Sequence, residues 1–164
     1  MEQEKEKNEE TFVKKVVQTA LEAERQIRRQ QVLHNTRMLM EEYIEMKRHI
    51  ESAVSEEEEL KEEQYDVFRG EGAHLGSVRR SKMKTAMMIA NIDRAMEELR
   101  AEYETKEMVY KYDAFKMHYI DGVSYEEIAD IQNCGKNTPS RWSKELIRKM
   151  SVKLFGIDLS LIHI

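Results

Sequence analysis

Seven residues in one short stretch carry side chains suited to gripping a polyanion and reading a base: Lys136, Asn137, Thr138, Ser140, Arg141, Lys144 and Arg148. Arg and Asn present paired hydrogen-bonding groups that match guanine and adenine edges in the major groove, whereas Lys, Ser, Thr and the first N–H groups of a helix hold phosphate oxygens. From Gln132 to Phe155 six cations face a single acid, Glu145, a local charge of +5 in a chain whose net charge is -5. At ~100° per residue, Asn137, Arg141, Lys144 and Arg148 share one side of a helix, with Ser140 at its edge. Pro139, Trp142, Leu146, Ile147, Met150 and Leu154 form the apolar side. A basic face alone is commonly just a solvated one, so the reading depends on the elements that position it.

What precedes this helix is a shorter one and a turn. Ser124 and Glu127 stand at capping-box spacing, with Val123 and Ile128 placed as a hydrophobic staple. The spacing predicts a helix from Tyr125 to about Gln132, with Ile128, Ala129 and Ile131 facing inward and the small Ala129 allowing a close crossing. Asn133, Cys134 and Gly135 supply the reversal, since Asn and Gly accept left-handed backbone. Thr138 is the expected N-cap of the next helix, with Pro139 in its first position, where the missing N–H costs nothing. Capped helix, turn and basic helix together make a helix-turn-helix, a unit whose second helix enters the major groove. Trp142 continues the apolar stripe and is expected to anchor the core.

The segment EEIADIQNCGKNTPSRW resembles the region-four helix-turn-helix of bacterial sigma factors, in which an EIA tripeptide, here Glu127-Ile128-Ala129, is followed after a short turn by Thr and a basic recognition helix. The wider order, an acidic helical part, this motif, then Leu154-Phe155-Gly156-Ile157-Asp158, is similar to the sigma-like transcriptional regulators of phages and prophages, the ArpU and RinA type. The resemblance covers the C-terminal third. Pro139 and Trp142 replace the family's usual Val and Arg, which implies a recognition helix set at a different angle. No stretch resembles the other promoter-binding region of sigma factors, which argues against a complete one. The resemblance implies a sequence-specific DNA-binding transcription regulator in the cytoplasm of a bacterial host, with double-stranded DNA as ligand and RNA polymerase as a candidate partner. Two other readings remain: a small terminase-type DNA-packaging subunit, and a protein-binding adaptor or inhibitor acting through acidic helices.

Composition sets the outer bounds. The chain has 164 residues, 36% of them charged, with six Gly and one Pro, which favours an all-α protein. The single Cys leaves no internal disulfide and fits a reducing compartment. No apolar run reaches membrane-spanning length, so no membrane association is expected. His34, His49, His74, His118 and His163 are scattered, so neither a metal site nor a cofactor is expected. No nucleophile, base and orienting group occur at a recognised spacing, so an enzyme is not expected.

The remaining chain divides at its glycines. Residues 1–34 are expected to form an N-terminal helical arm whose stripe, Phe12, Val16, Ala20, Ala23 and Ile27, either packs inward or makes a homo-oligomer in coiled-coil fashion. A break is expected between Val32 and Thr36, with Asn35 capping a new helix. Residues 35–105 read as an antiparallel helical hairpin: Leu39, Tyr43, Met46, Ile50, Ala53 and Val54 on one arm, Val78, Ala86, Ile89, Met96, Leu99 and Tyr103 on the other. Between them Arg69 to Ser77 is read as a loop, which lacks the pattern of a phosphate-binding loop. The acidic run Glu56 to Glu59 is expected to be a solvated face opposite Arg79, Arg80, Lys82 and Lys84, with contact to a basic polymerase surface as its functional alternative. Met83, Met87, Met88 and Met96 are expected as core filling. Residues 106–156 form the helix-turn-helix module, with Lys106 to Ile120 as its scaffold helix, and 157–164 an apolar tail.

Overall fold

The computed structural model describes the backbone of residues 2–63 and 72–156 and the side chains of residues 7–53 and 80–156. The protein is all-helical: α1 spans Glu2–Glu63, α2 Gly72–Thr105, α3 Val109–Tyr119, α4 Tyr125–Ile131 and α5 Thr138–Phe155. No strand occurs among the described residues.

The first 69 residues contain neither Gly nor Pro, and α1 runs for 62 residues without interruption. The expected break between Val32 and Thr36 is absent. Asn35 can cap a helix only if the backbone before it leaves helical angles, and nothing here forces that departure. Instead Thr36 donates its hydroxyl back to the Val32 carbonyl at 2.8 Å and is itself fully buried. Leu33, Met40, Tyr43, Ile44, Met46 and Ile50 carry the apolar stripe onward through this region, so burial rewards continuation where local cap chemistry suggested a stop.

The hairpin forms as expected where its side chains are described. Met40 and Tyr43 of α1 meet Ile89, Ile92, Ala95, Met96 and Leu99 of α2 in one core that extends to Tyr112, Phe115 and Tyr119 of α3 and Leu146, Ile147 and Met150 of α5. Tyr43 donates to the Asp93 carboxylate across the hairpin, which pins the register of the two arms. α2 begins at Gly72, so the segment read as a loop up to Ser77 is helical from Gly72 onward. A helical Gly costs about 1 kcal/mol relative to Ala, a penalty rather than a stop. Met83 and Met87 are exposed and, of the four methionines, only Met96 is buried, so they fill the core in part. The side chains of the acidic run, its pairing with the basic cluster, Arg69 to Glu71 and the apolar tail lie outside the described residues.

Downstream, α3 ends where expected. Gly122 takes φ +71, and the Val123 N–H then donates to the Met117 carbonyl at 2.9 Å. α5 contacts α1, α2, α3 and α4, so the fifth helix is enclosed on its apolar side by all the others.

Candidate nucleic-acid interface

α4 is a seven-residue helix, too short to persist alone, and its start is fixed by side-chain chemistry. The Glu127 N–H donates to Ser124 Oγ at 3.3 Å and the Ser124 N–H to Glu127 Oε2 at 3.1 Å, the reciprocal pair of a capping box. Ser124→Ala is expected to lower stability by about 1 kcal/mol, read as a shift in urea midpoint, and Ser124→Asn to retain most of it. Ile128 and Ala129 are buried, but Ile131 is 62% exposed, contrary to its expected inward position. One turn past Ile128 and Ala129 the chain is already leaving the helix, and Ile131 points away from α5.

The reversal uses Asn133, whose φ is +50, and not Gly135. The Cys134 N–H donates to the Ala129 carbonyl at 2.9 Å, and Gln132 Nε2 to the Tyr110 carbonyl at 3.1 Å, tying the turn to α3. The cap of α5 also lies one residue earlier than expected: Asn137 is the N-cap, without a side-chain cap bond, and Thr138 is the first helical residue. The Thr138 N–H donates to the Gly135 carbonyl at 2.8 Å, so the turn satisfies a donor that a side-chain cap would otherwise serve. Pro139 stands in the first turn as expected and is buried.

On α5 the apolar side is as expected, with Pro139, Leu146, Ile147 and Met150 buried and Leu154 packed against the core. Trp142 is half-buried and meets the edge of Tyr110 on α3, ring centroids 5.2 Å apart. Two polar residues the apolar pattern missed, Ser143 and Ser151, are also buried.

The structure sorts the cations of this segment into two groups. Lys149 Nζ lies 2.5 Å from Glu102 Oε1, and Lys153 Nζ lies 3.5 Å from Glu98 and 3.9 Å from Glu102. These two lysines face α2 and are occupied. Lys136 pairs with Glu126 at 3.0 Å, both largely in water. The lone acid, Glu145, turns sideways to accept from Tyr103 Oη at 2.7 Å and from Lys111 Nζ at 2.8 Å. Partial burial opposes ionisation there, but the Lys111 and Tyr103 hydrogen bonds outweigh it and hold the Glu145 carboxyl below its ordinary range. Asn137, Arg141, Lys144 and Arg148 are exposed, and none of Arg141, Lys144 and Arg148 makes an ion pair among the described residues. Ser140 and Thr138 are half-buried at the margins. Hence the sequence-level +5 overstates the open charge, while the three open cations fall on one face.

Two residues beside this face carried no sequence signal. Arg37 and Glu41 of α1 line a cleft of about 240 Å³ together with Ser140, Lys144, His118 and Tyr125. His118 donates from Nδ1 to the Val123 carbonyl at 3.0 Å and stacks on Tyr125 with centroids 3.8 Å apart, which braces the corner between α3 and α4. Arg37 is exposed and adds a cation from outside the helix-turn-helix. About a hundred residues separate it from Lys144, so no local pattern could join them.

Glu102, held by Lys106 at 2.7 Å as well as by Lys149, has its carboxyl drawn down to about 2 by those two hydrogen bonds. A depressed folded-state value means stability that is present above the ordinary 4.5 and lost as pH falls from there toward 2. Glu102→Gln is therefore expected to cost ~1–2 kcal/mol at neutral pH, allowing for solvent screening. That difference from wild type should shrink on acidification across this window in denaturation curves.

No group of His, Cys, Asp and Glu among the described residues could hold a metal ion, and no described helix is long and apolar enough to cross a membrane. The chain matches no family model, no curated protein and no solved structure.

Proposed function

We propose that this protein binds double-stranded DNA sequence-specifically, laying α5 in the major groove, and acts as a transcription regulator of the sigma-like phage kind, with RNA polymerase as a candidate partner. The observation that carries the reading is the sorting of charge on α5. Arg141, Lys144 and Arg148 stay open beside Asn137, while Lys149 and Lys153 are neutralised against α2. An amphipathic helix turns its polar side outward in any case, so the support comes from three cations, unpaired among the described residues, standing beside Asn137 directly after a capped helix and turn. In this reading Arg141 and Asn137 contact base edges, and Lys144, Arg148, Ser140, Thr138, Lys136 and Arg37 contact phosphates.

The test is capture of genomic fragments by the purified chain, repeated with Arg141→Ala and Lys144→Ala at two salt concentrations. Enrichment of one discrete motif that fades in the variants supports a regulator reading DNA through α5. Equal recovery of featureless DNA by wild type and variants, or recovery of none, removes the proposal and turns the search to protein partners.

A further inference from the structure

The N-terminal part of α1 is helical but covered by nothing among the described residues. Every described residue from Lys7 to Arg28 is exposed, including Phe12 at 68%, Val13 at 57%, Val16 at 51% and Ile27 at 65%. At ~100° per residue, Phe12, Val13, Val16, Ala20, Ala23 and Ile27 fall within one narrow stripe. β-Branched residues are modest helix formers, and helices in proteins gain most of their stability by packing an apolar face. Ala20 and Ala23 sit mid-stripe, where small side chains permit close approach of another helix.

The charges beside the stripe identify that helix. One flank carries Lys15 and Glu22, the other Glu10 and Arg28. When two copies lie antiparallel, each flank meets its own counterpart with the order reversed. Lys15 then faces Glu22 of the second copy when the two-fold axis lies between residues 18 and 19. Glu10 faces Arg28 of the second copy when it lies at 19. One register therefore satisfies both flanks and, by symmetry, makes four complementary pairs. A parallel pair would instead set Glu9, which falls inside the stripe, against its own copy. Glu10 and Arg28 already pair within α1, with Lys14 and Glu24, but such exposed pairs hold weakly and leave carboxylate oxygens for a second donor.

We propose that two copies of this chain pair antiparallel through residues 9–28 of α1, about a two-fold axis near Gln18 and Thr19. The pairing stands independently of DNA binding. Sedimentation equilibrium of the full chain is expected to give twice the 19.5 kDa chain mass. Lys15→Glu should weaken association about tenfold, from reversing two exposed pairs, and Lys15→Glu with Glu22→Lys should restore it. In a Cys134→Ser background, Ala20→Cys lies close to the axis and should form an interchain disulfide, whereas Ile27→Cys should not. Both positions are exposed in the single chain, and circular dichroism would verify that each variant keeps its helix. A monomeric mass means that a different molecule covers the stripe and overturns the proposal. So does an assembly larger than two, a failed charge-swap rescue, or trapping at Ile27→Cys faster than at Ala20→Cys.

Discussion

Arg141→Ala is expected to weaken binding to the preferred DNA duplex by ~1–3 kcal/mol while leaving binding to unrelated duplexes far less affected, so that base preference relaxes. Arg141 stands at the centre of the open face of α5, with no carboxylate among the described residues to hold it back. Lys144→Ala and Arg148→Ala should behave differently. As phosphate contacts they release counterions, so each loss weakens all sequences alike and reduces the slope of log affinity against log salt by about 1. Lys149→Ala is the control. Its ammonium is 2.5 Å from Glu102, so the salt slope should be unchanged even though the fold loses an ion pair. Titration by fluorescence anisotropy over a range of salt concentrations separates the three outcomes. Equal salt slopes for wild type and the Lys144 and Arg148 variants would detach α5 from DNA altogether.

The second large effect concerns the platform beneath α5. Phe115 is fully buried, its ring 4.8 Å from that of Tyr119, in the same core as Leu146, Ile147 and Met150. Phe115→Ala removes those contacts and leaves a cavity that surrounding helices only partly close, an expected loss of ~3–5 kcal/mol. That is a large share of the roughly 5–15 kcal/mol typical of a folded domain. Ile131→Ala, at a position 62% exposed, should change stability by less than ~0.5 kcal/mol. Urea unfolding followed by the fluorescence of Trp142, whose ring borders Tyr110, reports on both. A small effect at Phe115 would mean that α3 is not the support that aligns α5.

The contrast between Phe115 and Ile131 marks how far neighbouring positions in a sequence can specify a fold. The capping box, the turn and the apolar side of α5 depend on residues within a few positions of one another, so their spacing places them correctly. Ile131 escapes such a reading because a seven-residue helix offers too few turns for periodicity to decide its ends. The break expected near Asn35 fails for the opposite reason: a valid local cap signal is overridden by burial of Thr36 and Met40 against distant elements. Thr36, Ser143 and Ser151 are enclosed although their side chains are polar, which no hydrophobic pattern detects. The occupation of Lys149 and Lys153 is not legible at all, since Glu102 and Glu98 lie some fifty positions away and meet them only through packing of α5 on α2. Sequence thus locates the basic helix but overcounts its open charge.

The uninterrupted course of α1 has a mechanical consequence. An α-helix advances ~1.5 Å and turns ~100° for each residue, so this one works as a gear as well as a ruler. In the antiparallel pair, roughly twenty residues separate the axis from Arg37 and Glu41, where α1 flanks α5. In the proposed pair the two copies of α5 are then ~60 Å apart along the shaft, nearer two turns of duplex than one. Inserting seven residues between Arg29 and Thr36 would lengthen each half by ~10 Å with almost no rotation, whereas inserting two would swing each module to the far side of the shaft. If α5 reads DNA in the proposed pair, the spacing and the facing of its half-sites follow from the phase of a helix that touches no base.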